Sequence, residues 1–199
     1  MAHPGQTKHI QFSEWREQDD QLADQLWGNP QVTRYISRNG FDRATITHRL
    51  ALEVTSQKAD GVQYWPLFTA AGDLIGCCGL QARSDAQVYE LGYHLLPRYW
   101  GQGLATEAAS AVIAFAQTRL HAHALVARHH PDNAASRHII TAKLGFKFTH
   151  NEVYAPTGLV TPTYRLPLRT PQATAQLRFG IWQAGQAMGA EYLWQDTSV

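Results

Sequence analysis

Apolar residues follow two spacings along this chain, and the change from one spacing to the other marks the predicted elements. Short apolar runs bounded by turn residues predict strands, whereas apolar residues three or four positions apart predict helices. The predicted strands span residues 9–15, 63–70, 74–81, 88–96, 124–128, 146–154 and 163–168. The predicted helices run from 19 to about 27, from 30 to 35, from 42 past 54, from 104 past 115, and from 133 to about 144. This order predicts a mixed α/β sheet with three antiparallel strands in succession and a parallel neighbour at 124–128.

A glycine-rich turn joins the predicted strand 88–96 to the helix that follows it. Pro97 ends the strand, and Arg98, Gly101 and Gly103 precede a helix that begins at Leu104. The first N–H groups of a helix have no partner inside that helix, and they lie at the positive end of its dipole. The turn therefore predicts a site for phosphate oxygens.

Two common phosphate-binding turns do not match this sequence. A P-loop ends in Gly-Lys-Ser/Thr, but Gly103 is followed by Leu104 and Ala105. A dinucleotide-binding turn needs a third glycine or alanine where Thr106 stands. An ordinary strand-turn-helix remains the alternative to a phosphate site.

A third family does match. The spacing Arg98-x-x-Gly101-x-Gly103, after a strand that carries Glu90, resembles the acetyl-CoA pyrophosphate loop of the GNAT N-acetyltransferases. The longer strings ELGY and GLATEA at residues 90–93 and 103–108 resemble the branch that contains the RimJ and RimL enzymes. A second block, NAAS at 133–136 followed by KLGF at 143–146, resembles another segment of the family. Its gap is one residue longer than the family pattern, which predicts a bulge in this helix or a shift of its end.

The resemblance implies a fold and a cofactor. The fold class is α/β (α+β): the GNAT fold, with a central mixed, mostly antiparallel twisted sheet flanked by helices. The co-substrate is acetyl-CoA, lying where the strands 88–96 and 124–128 splay apart. The residues implied to bind it are Leu95, Leu96, Arg98, Gly101, Gln102, Gly103, Leu104, Ala105, Thr106 and Asn133. Thr106 is equally well explained as a first-turn helix residue, and Asn133 as the N-cap of its own helix.

The resemblance also implies catalytic residues. Glu90 is the candidate base that deprotonates the amine through water, or else a structural carboxylate. The oxyanion donor is a backbone N–H near His94 or Leu95, where the strand is expected to bulge around Gly92. Ser136 is the candidate for protonating the CoA thiolate, with hydrogen bonding or packing as the alternative.

The acceptor is expected to be a primary amine, either a protein N-terminus or a small molecule. Trp27, Tyr35 and His94 are the candidate substrate-binding residues, together with the late loop near 154–163. No tyrosine lies on the helix 133–144, so Tyr154 is the second candidate, after Ser136, for protonating the CoA thiolate. His94 alternates with Glu90 onto one strand face, and its candidate roles are to relay a proton or to contact the acceptor; a plain structural role is the alternative.

Composition limits the kinds of partner, compartment and metal site that are expected. A net charge of +1, with 17% charged and 44% apolar residues, argues against nucleic-acid or membrane-surface partners and fits a cytoplasmic protein. Adjacent Cys77 and Cys78 face opposite sides of a strand, so a disulfide between them is not expected. Four histidines lie between 121 and 130 without a cysteine or carboxylate cluster, and no metal is expected.

The acetyltransferase domain is expected to span 1–168. Residues 169–199 form a C-terminal extension in which helical spacing of apolar residues predicts a helix that packs on the domain or on a partner, so a homodimer is one prediction. Two other functions stay open. One is a catalytically silent acyl-CoA-binding sensor or interaction module, and the other is an enzyme that uses a longer acyl-CoA.

Overall fold

A seven-stranded sheet forms the centre of the part of the chain that the structure describes. The computed structural model describes residues 3–155 and 157–168 of the 199, so the predicted extension 169–199 lies outside the described residues. The strands are β1 Gln11–Phe12, β2 Tyr64–Phe68, β3 Leu74–Ala82, β4 Val88–Leu95, β5 Ala124–Arg128, β6 Lys147–Tyr154 and β7 Leu159–Pro167. Their order across the sheet is β1-β2-β3-β4-β5-β7-β6, and β4 and β5 are its parallel pair. The predicted sheet and its parallel step are confirmed.

Five α-helices accompany the sheet in the described residues: α1 Asp20–Trp27, α2 Pro30–Thr33, α3 Arg43–Asp60, α4 Leu104–Thr118 and α5 Ala134–His138. Their ends follow from local chemistry. Asp42 caps α3 by accepting the N–H of Thr45 at 2.8 Å, and Gly61 ends it at a φ of +69°. Asn29 caps α2 in the same way, with Pro30 as its first residue.

Apolar side chains fill both faces of the sheet. One face packs against α4, with Leu91, Val112 and Phe115 among the buried residues. The other packs against α1 and α3, with Trp27 and Leu50 in its core. The strand β4 therefore carries alternate side chains into two different environments, which decides the chemistry on each side of it.

The last helix shows the effect of the extra residue noted in the sequence. After α5, residues Ile139–Lys143 form a π-helical turn before Gly145, which takes a φ of +75°. A π-turn holds one more residue than the α-helical turn it replaces. The predicted bulge is confirmed.

Three local predictions are wrong. The first strand spans only Gln11–Phe12 instead of 9–15, and β7 begins at Leu159 rather than at 163 because β6 and β7 pair almost to their connecting turn. No bulge occurs at Gly92, since β3 and β4 pair in continuous register through it. A glycine is needed there for another reason: a Cβ would lie 2.1 Å from the Tyr64 hydroxyl.

A carboxylate at the start of α4 holds the N-terminal arm. Glu107 accepts hydrogen bonds from the Thr7 hydroxyl at 2.6 Å and from the His9 N–H at 2.8 Å, and its other oxygen pairs with the His9 ring. Burial alone would raise the pKa of Glu107, but these hydrogen bonds outweigh it and lower the pKa below its ordinary 4.5.

We expect Glu107→Gln to lower the free energy of unfolding at pH 7 by roughly 1 kcal/mol. Because the folded pKa is depressed, the carboxylate stabilises the fold above pH 4.5 and loses that effect as the pH falls through the folded value. The free energies of unfolding of wild type and variant, measured in urea, should therefore converge as the pH is lowered through the folded pKa of Glu107. A Glu17→Gln control breaks an exposed pair with Lys58, and it should change neither the free energy of unfolding nor its pH dependence. A constant difference across this pH range would show that the carboxylate charge is not what matters.

Candidate active site

The strands β4 and β5 separate part of the way along, and a cavity opens between them. Their ladder runs from Val88↔Ala124 to Glu90↔Val126 and then ends, although β4 continues to Leu95. The cavity beyond it has a volume of about 530 Å³. Its walls come from β4, the glycine turn, the beginning of α4, the end of β5, α5 and the segment around α2.

Eleven of the predicted site residues line this cavity. They are Tyr35, Glu90, His94, Leu95, Gly101, Gly103, Leu104, Ala105, Thr106, Asn133 and Ser136. Four others do not line it: Trp27, Leu96, Arg98 and Gln102. The four have identifiable reasons for lying elsewhere.

Backbone groups of β4 divide between its two edges. The Leu96 N–H donates to Ile75 O and its carbonyl accepts from Tyr99 N, both at 2.9 Å, so the Leu96 backbone is directed to β3 and to the turn rather than to the gap. Successive residues of a strand point their polar groups to opposite edges, which leaves the Leu95 backbone facing the gap. Its carbonyl accepts the Trp100 indole N–H at 2.7 Å and has a second lone pair free.

The glycine turn has the geometry of an anion site. Gly101 and Gly103 take φ values of +73° and +79°, which non-glycine residues rarely adopt, and a Cβ at either position would meet no atom within 4 Å. The space above both glycines is therefore open to a ligand. The helix α4 begins directly after them and extends through 15 residues, so its unpaired N–H groups and its dipole face that space.

The side chains of Arg98 and Gln102 are engaged within the turn, whereas the phosphate contacts predicted for this loop are with its backbone N–H groups. The Arg98 guanidinium turns back to the sheet, where it donates to Leu74 O at 3.2 Å and lies 5.0 Å from the centre of the Tyr99 ring. The Gln102 side chain donates to Arg98 O at 2.8 Å, closing the turn on itself. These two residues shape the turn from behind.

Asn133 and Ser136 belong to the start of α5. Asn133 Oδ1 accepts the N–H of Ser136 at 3.0 Å, so the predicted N-cap is present. The Ser136 hydroxyl lies 3.0 Å from the hydroxyl of Tyr93, a β4 residue that the sequence analysis did not consider. Burial raises the pKa of Tyr93, against the opposing effect of its bond to Ser136. The alternation of β4 side chains, which places Tyr93 opposite His94, was the signal that could have found it.

Glu90 lies between two arginines. Arg83 Nη1 donates to one carboxylate oxygen at 2.8 Å, and Arg128 donates to both oxygens at 2.7 to 3.0 Å. The side chain of Glu90 is 14% exposed and lines the cavity. Arg128 also pairs with Glu152 at 3.0 Å. A carboxylate in this network accepts hydrogen bonds from two cations while one side of it stays open to the cavity.

Trp27 is a core residue. Its ring is 0% exposed and lies 5.1 Å from the ring of Trp15, so the prediction that it touches the substrate is wrong. Its indole Nε1 donates to His94 Nδ1 at 3.2 Å. An aromatic residue near the end of an amphipathic helix gives no sequence signal that separates a pocket wall from the core behind it.

Two tyrosines of the cavity wall make ring contacts with residues on or just after β5. The ring of Tyr35, just after α2, lies 5.1 Å from the ring of His130, which follows β5. The Tyr154 ring at the end of β6 lies under the Arg128 guanidinium at 5.0 Å. Both tyrosines line the cavity, as the sequence analysis expected for the acceptor side.

Metal and membrane features can be stated for the described residues alone. No group of three or more histidine, cysteine or acidic side chains among them is arranged to hold a metal ion. None of their helices is long and apolar enough to cross a membrane. Cys77 and Cys78 are both buried and free.

Comparison with known proteins shows to which family this chain belongs. The sequence profile of the acetyltransferase (GNAT) domain matches residues 9–147, more than half of the chain. The chain belongs to the GNAT acetyltransferase family. A curated N-acetyltransferase of this type, the uncharacterized p20 of Bacillus licheniformis, is 23% identical over 133 residues, which are 65% of this chain and 75% of p20.

Solved GNAT structures have the same fold. The Salmonella typhimurium acetyltransferase that modifies the N-terminal serine of the 50S ribosomal subunit protein L7/L12 superimposes with a TM-score of 0.70, at 13% identity, over 82% of this chain and 97% of that one. RimL, the ribosomal L7/L12 α-N-protein acetyltransferase in complex with coenzyme A, superimposes with a TM-score of 0.69 at 13% identity, over 81% and 96%. The predicted GNAT fold and acyltransferase class are confirmed, and GNAT enzymes use acetyl-CoA. The silent binding module is not favoured.

Proposed function

We propose that this GNAT protein transfers the acetyl group of acetyl-CoA to a primary amine, either a protein N-terminus or a small molecule. The open gap along β4 beside the glycine turn carries the proposal. Gly101 and Gly103 leave room over the turn for phosphate oxygens, and the helix α4 directs its N-terminal N–H groups to the same place. Leu104, Ala105, Thr106 and Asn133 complete the wall around the pyrophosphate and pantetheine.

The two faces of β4 suit the two reactants. Tyr93 and Ser136 lie on the side of α5, next to the end of the gap, where the sulfur of the thioester belongs. Glu90 and His94 lie on the opposite face with Tyr64, where the amine would approach. The Leu95 N–H lies between them on the gap edge and is the backbone donor for the carbonyl oxygen, since His94 by alternation points its N–H to β3.

The reaction then proceeds by direct attack. The neutral amine nitrogen bonds to the thioester carbonyl carbon, the C–S bond breaks, and the thiolate takes a proton while the new amide loses one. Ser136, hydrogen-bonded to Tyr93, gives its hydroxyl proton to the departing sulfur and takes one back from solvent when the thiol leaves. Glu90 accepts the amine proton through a water molecule. A serine backed by a tyrosine is a better donor than an isolated serine, because the second hydroxyl stabilises its oxygen as the proton leaves.

Cofactor binding can be tested by thermal unfolding with and without acetyl-CoA. We expect acetyl-CoA, but not ATP or NAD, to raise the Tm of the wild type, since a ligand at about 100 times its Kd adds roughly 2.7 kcal/mol to stability. Gly103→Ala should lose most of this shift, because the new Cβ occupies the space above the turn and strains a φ of +79°.

Gly72→Ala is the matched control for that test. Gly72 has a φ of +88° and the same open surroundings, but it lies in the β2–β3 turn away from the cavity. It should lose similar intrinsic stability and keep the full acetyl-CoA shift. No shift in the wild type, together with no thiol release from acetyl-CoA in the presence of primary amines, would refute the proposed function.

The cellular location and the oligomeric state are proposed from other features of the chain. Two free buried cysteines fit a reducing compartment, which supports the proposal of a cytoplasmic protein. A homodimer is proposed from the sequence pattern of 169–199 alone.

A further inference from the structure

The imidazole ring of His94 is held in place by contacts with three other side chains. Its ring packs against the edge of Tyr64 at 5.6 Å, and its Nδ1 lies 3.7 Å from Cys77 Sγ. The fully buried Trp27 donates to the same nitrogen at 3.2 Å. Side chains from three elements therefore fix the orientation of one imidazole at the cavity.

The contact with Trp27 fixes the tautomer of His94. An indole N–H can only donate, so Nδ1 must accept and the neutral imidazole carries its proton on Nε2. Burial, followed by the nearby Arg49 guanidinium, lowers the pKa of His94 to about 3, so the ring stays neutral at working pH. His94 therefore does not relay protons from the amine, which removes one of the roles considered for it.

The second ring nitrogen of His94 takes no part in the contacts with Trp27 and Cys77. Nε2 has no hydrogen-bond partner among the described residues. It is not a buried atom either, since the buried side-chain nitrogen and oxygen atoms without a hydrogen bond in the described residues are those of the Arg49–Glu53 ion pair. An unpartnered atom that is not buried is open to a ligand, and His94 lines the cavity.

The remaining wall also offers donors rather than acceptors. Among the described residues, Glu90 is the one carboxylate that lines the cavity, and Arg83 and Arg128 already bind it. Arg34 lines the same cavity, with its guanidinium 4.6 Å from the centre of the Tyr35 ring. The Arg34 guanidinium itself makes no hydrogen bond or ion pair in the part of the chain that the structure describes, and it lies against the Tyr35 and Trp100 rings. A polycationic acceptor would find no free carboxylate here.

We propose that His94 determines acceptor specificity by donating its Nε2–H to an oxygen atom next to the acceptor amine. The donor does not bond to the amine itself, because the amine lone pair must remain free to attack the thioester. A carbonyl or carboxylate one or two bonds from the amine is the group that this donor recognises. The inference rests on the proposed N-acetyltransferase function and adds the residue that selects the acceptor.

Two small amines test this role directly. Alaninamide carries a carbonyl next to its amine, and isopropylamine has a methyl group in its place. With rates corrected for the neutral fraction of each amine, we expect wild type to prefer alaninamide by at least about tenfold in kcat/KM, because an unpaired polar group in the site penalises the analogue that lacks the oxygen. His94→Leu should bring the ratio close to one through a higher KM for alaninamide. His94→Gln, which keeps an N–H donor, should restore part of the preference.

A second variant separates the effect of the His94 tautomer from the effect of losing the His94 side chain. Trp27→Phe leaves His94 in place but removes the donor that holds Nδ1 unprotonated, so the preference should fall partway toward that of His94→Leu. The ¹⁵N shifts of the imidazole should show an unprotonated Nδ1 in wild type and a mixture of tautomers in the variant. Retention of the acetyl-CoA thermal shift shows that each variant is folded.

The outcomes separate this inference from the function on which it rests. Equal preference in wild type and His94→Leu, or a wild-type Nδ1 that carries the proton, would overturn the role of His94 while acetylation of amines stands. Failure of every primary amine to release thiol would instead refute the proposed function.

Discussion

Glu90→Gln is expected to lower kcat for amine acetylation by about 10²- to 10³-fold, within the range that one general base contributes. The Tm shift caused by acetyl-CoA should persist, because Glu90 lies on the acceptor face of β4 and not on the glycine turn. Glutamine keeps the shape of the side chain and one acceptor oxygen for Arg128. It cannot accept the proton that the amine must lose.

A control is needed because Glu90 also neutralises two arginines. Glu152→Gln removes the other carboxylate that pairs with Arg128, at 3.0 Å, and Glu152 does not line the cavity. If the network acted only by holding Arg128, the two variants would lose similar activity. We expect Glu152→Gln to reduce kcat by no more than about threefold, the effect of a partly exposed ion pair.

Steady-state kinetics with a fixed amine at saturating acetyl-CoA give the comparison. Turnover of Glu90→Gln within threefold of wild type would exclude Glu90 as the base and leave it as an anchor for Arg83 and Arg128. A large loss in both variants would assign the effect to the position of Arg128 instead.

The glycine turn and the fold around it were predictable because their signals are local. A strand, a proline, two glycines and an amphipathic helix occur within 20 residues, and each restricts the backbone by its own chemistry. The π-turn at Ile139–Lys143 was predictable for the same reason, since one extra residue between Asn133 and Gly145 must be accommodated within a single helix.

The surroundings of the candidate catalytic residues could not be predicted in this way. Arg83 and Arg128 reach Glu90 from sequence distances of 7 and 38 residues, and Trp27 reaches His94 from 67 residues away. Nothing in a single sequence identifies which distant side chain fills a given contact. The contact between Tyr93 and Ser136 could not be predicted for the same reason, since 43 residues separate them in the sequence.

Behind the acceptor face of β4, a buried ion pair supports the cavity wall. Arg49 Nη2 lies 2.5 Å from Glu53 Oε1 on α3, and the two side chains are 18% and 2% exposed. The other Glu53 oxygen accepts the backbone N–H of Tyr64 at 2.7 Å. The Arg49 guanidinium lies 5.0 Å and 5.5 Å from the ring centres of Tyr64 and Trp27. Both of these rings contact His94.

Glu53→Gln is therefore expected to destabilise the fold by about 3–5 kcal/mol, because it leaves the Arg49 charge buried without a partner. The glutamine oxygen still accepts the Tyr64 N–H, so the loss is that of the charge and not of the hydrogen bond. Urea unfolding measures the change directly, and a fall in Tm of roughly 10 °C should accompany it.

Two comparisons decide whether the buried charge is the cause. Asp24→Asn breaks the exposed pair between Asp24 and Arg43, also on α3, at 3.6 Å, and should cost less than about 1 kcal/mol. Arg49→Met combined with Glu53→Gln removes both charges and should recover much of the stability, since an apolar replacement of a buried pair is often neutral. A double variant no more stable than Glu53→Gln would mean that the packing of Arg49 on the Tyr64 and Trp27 rings stabilises this wall, and not the pairing of its charge.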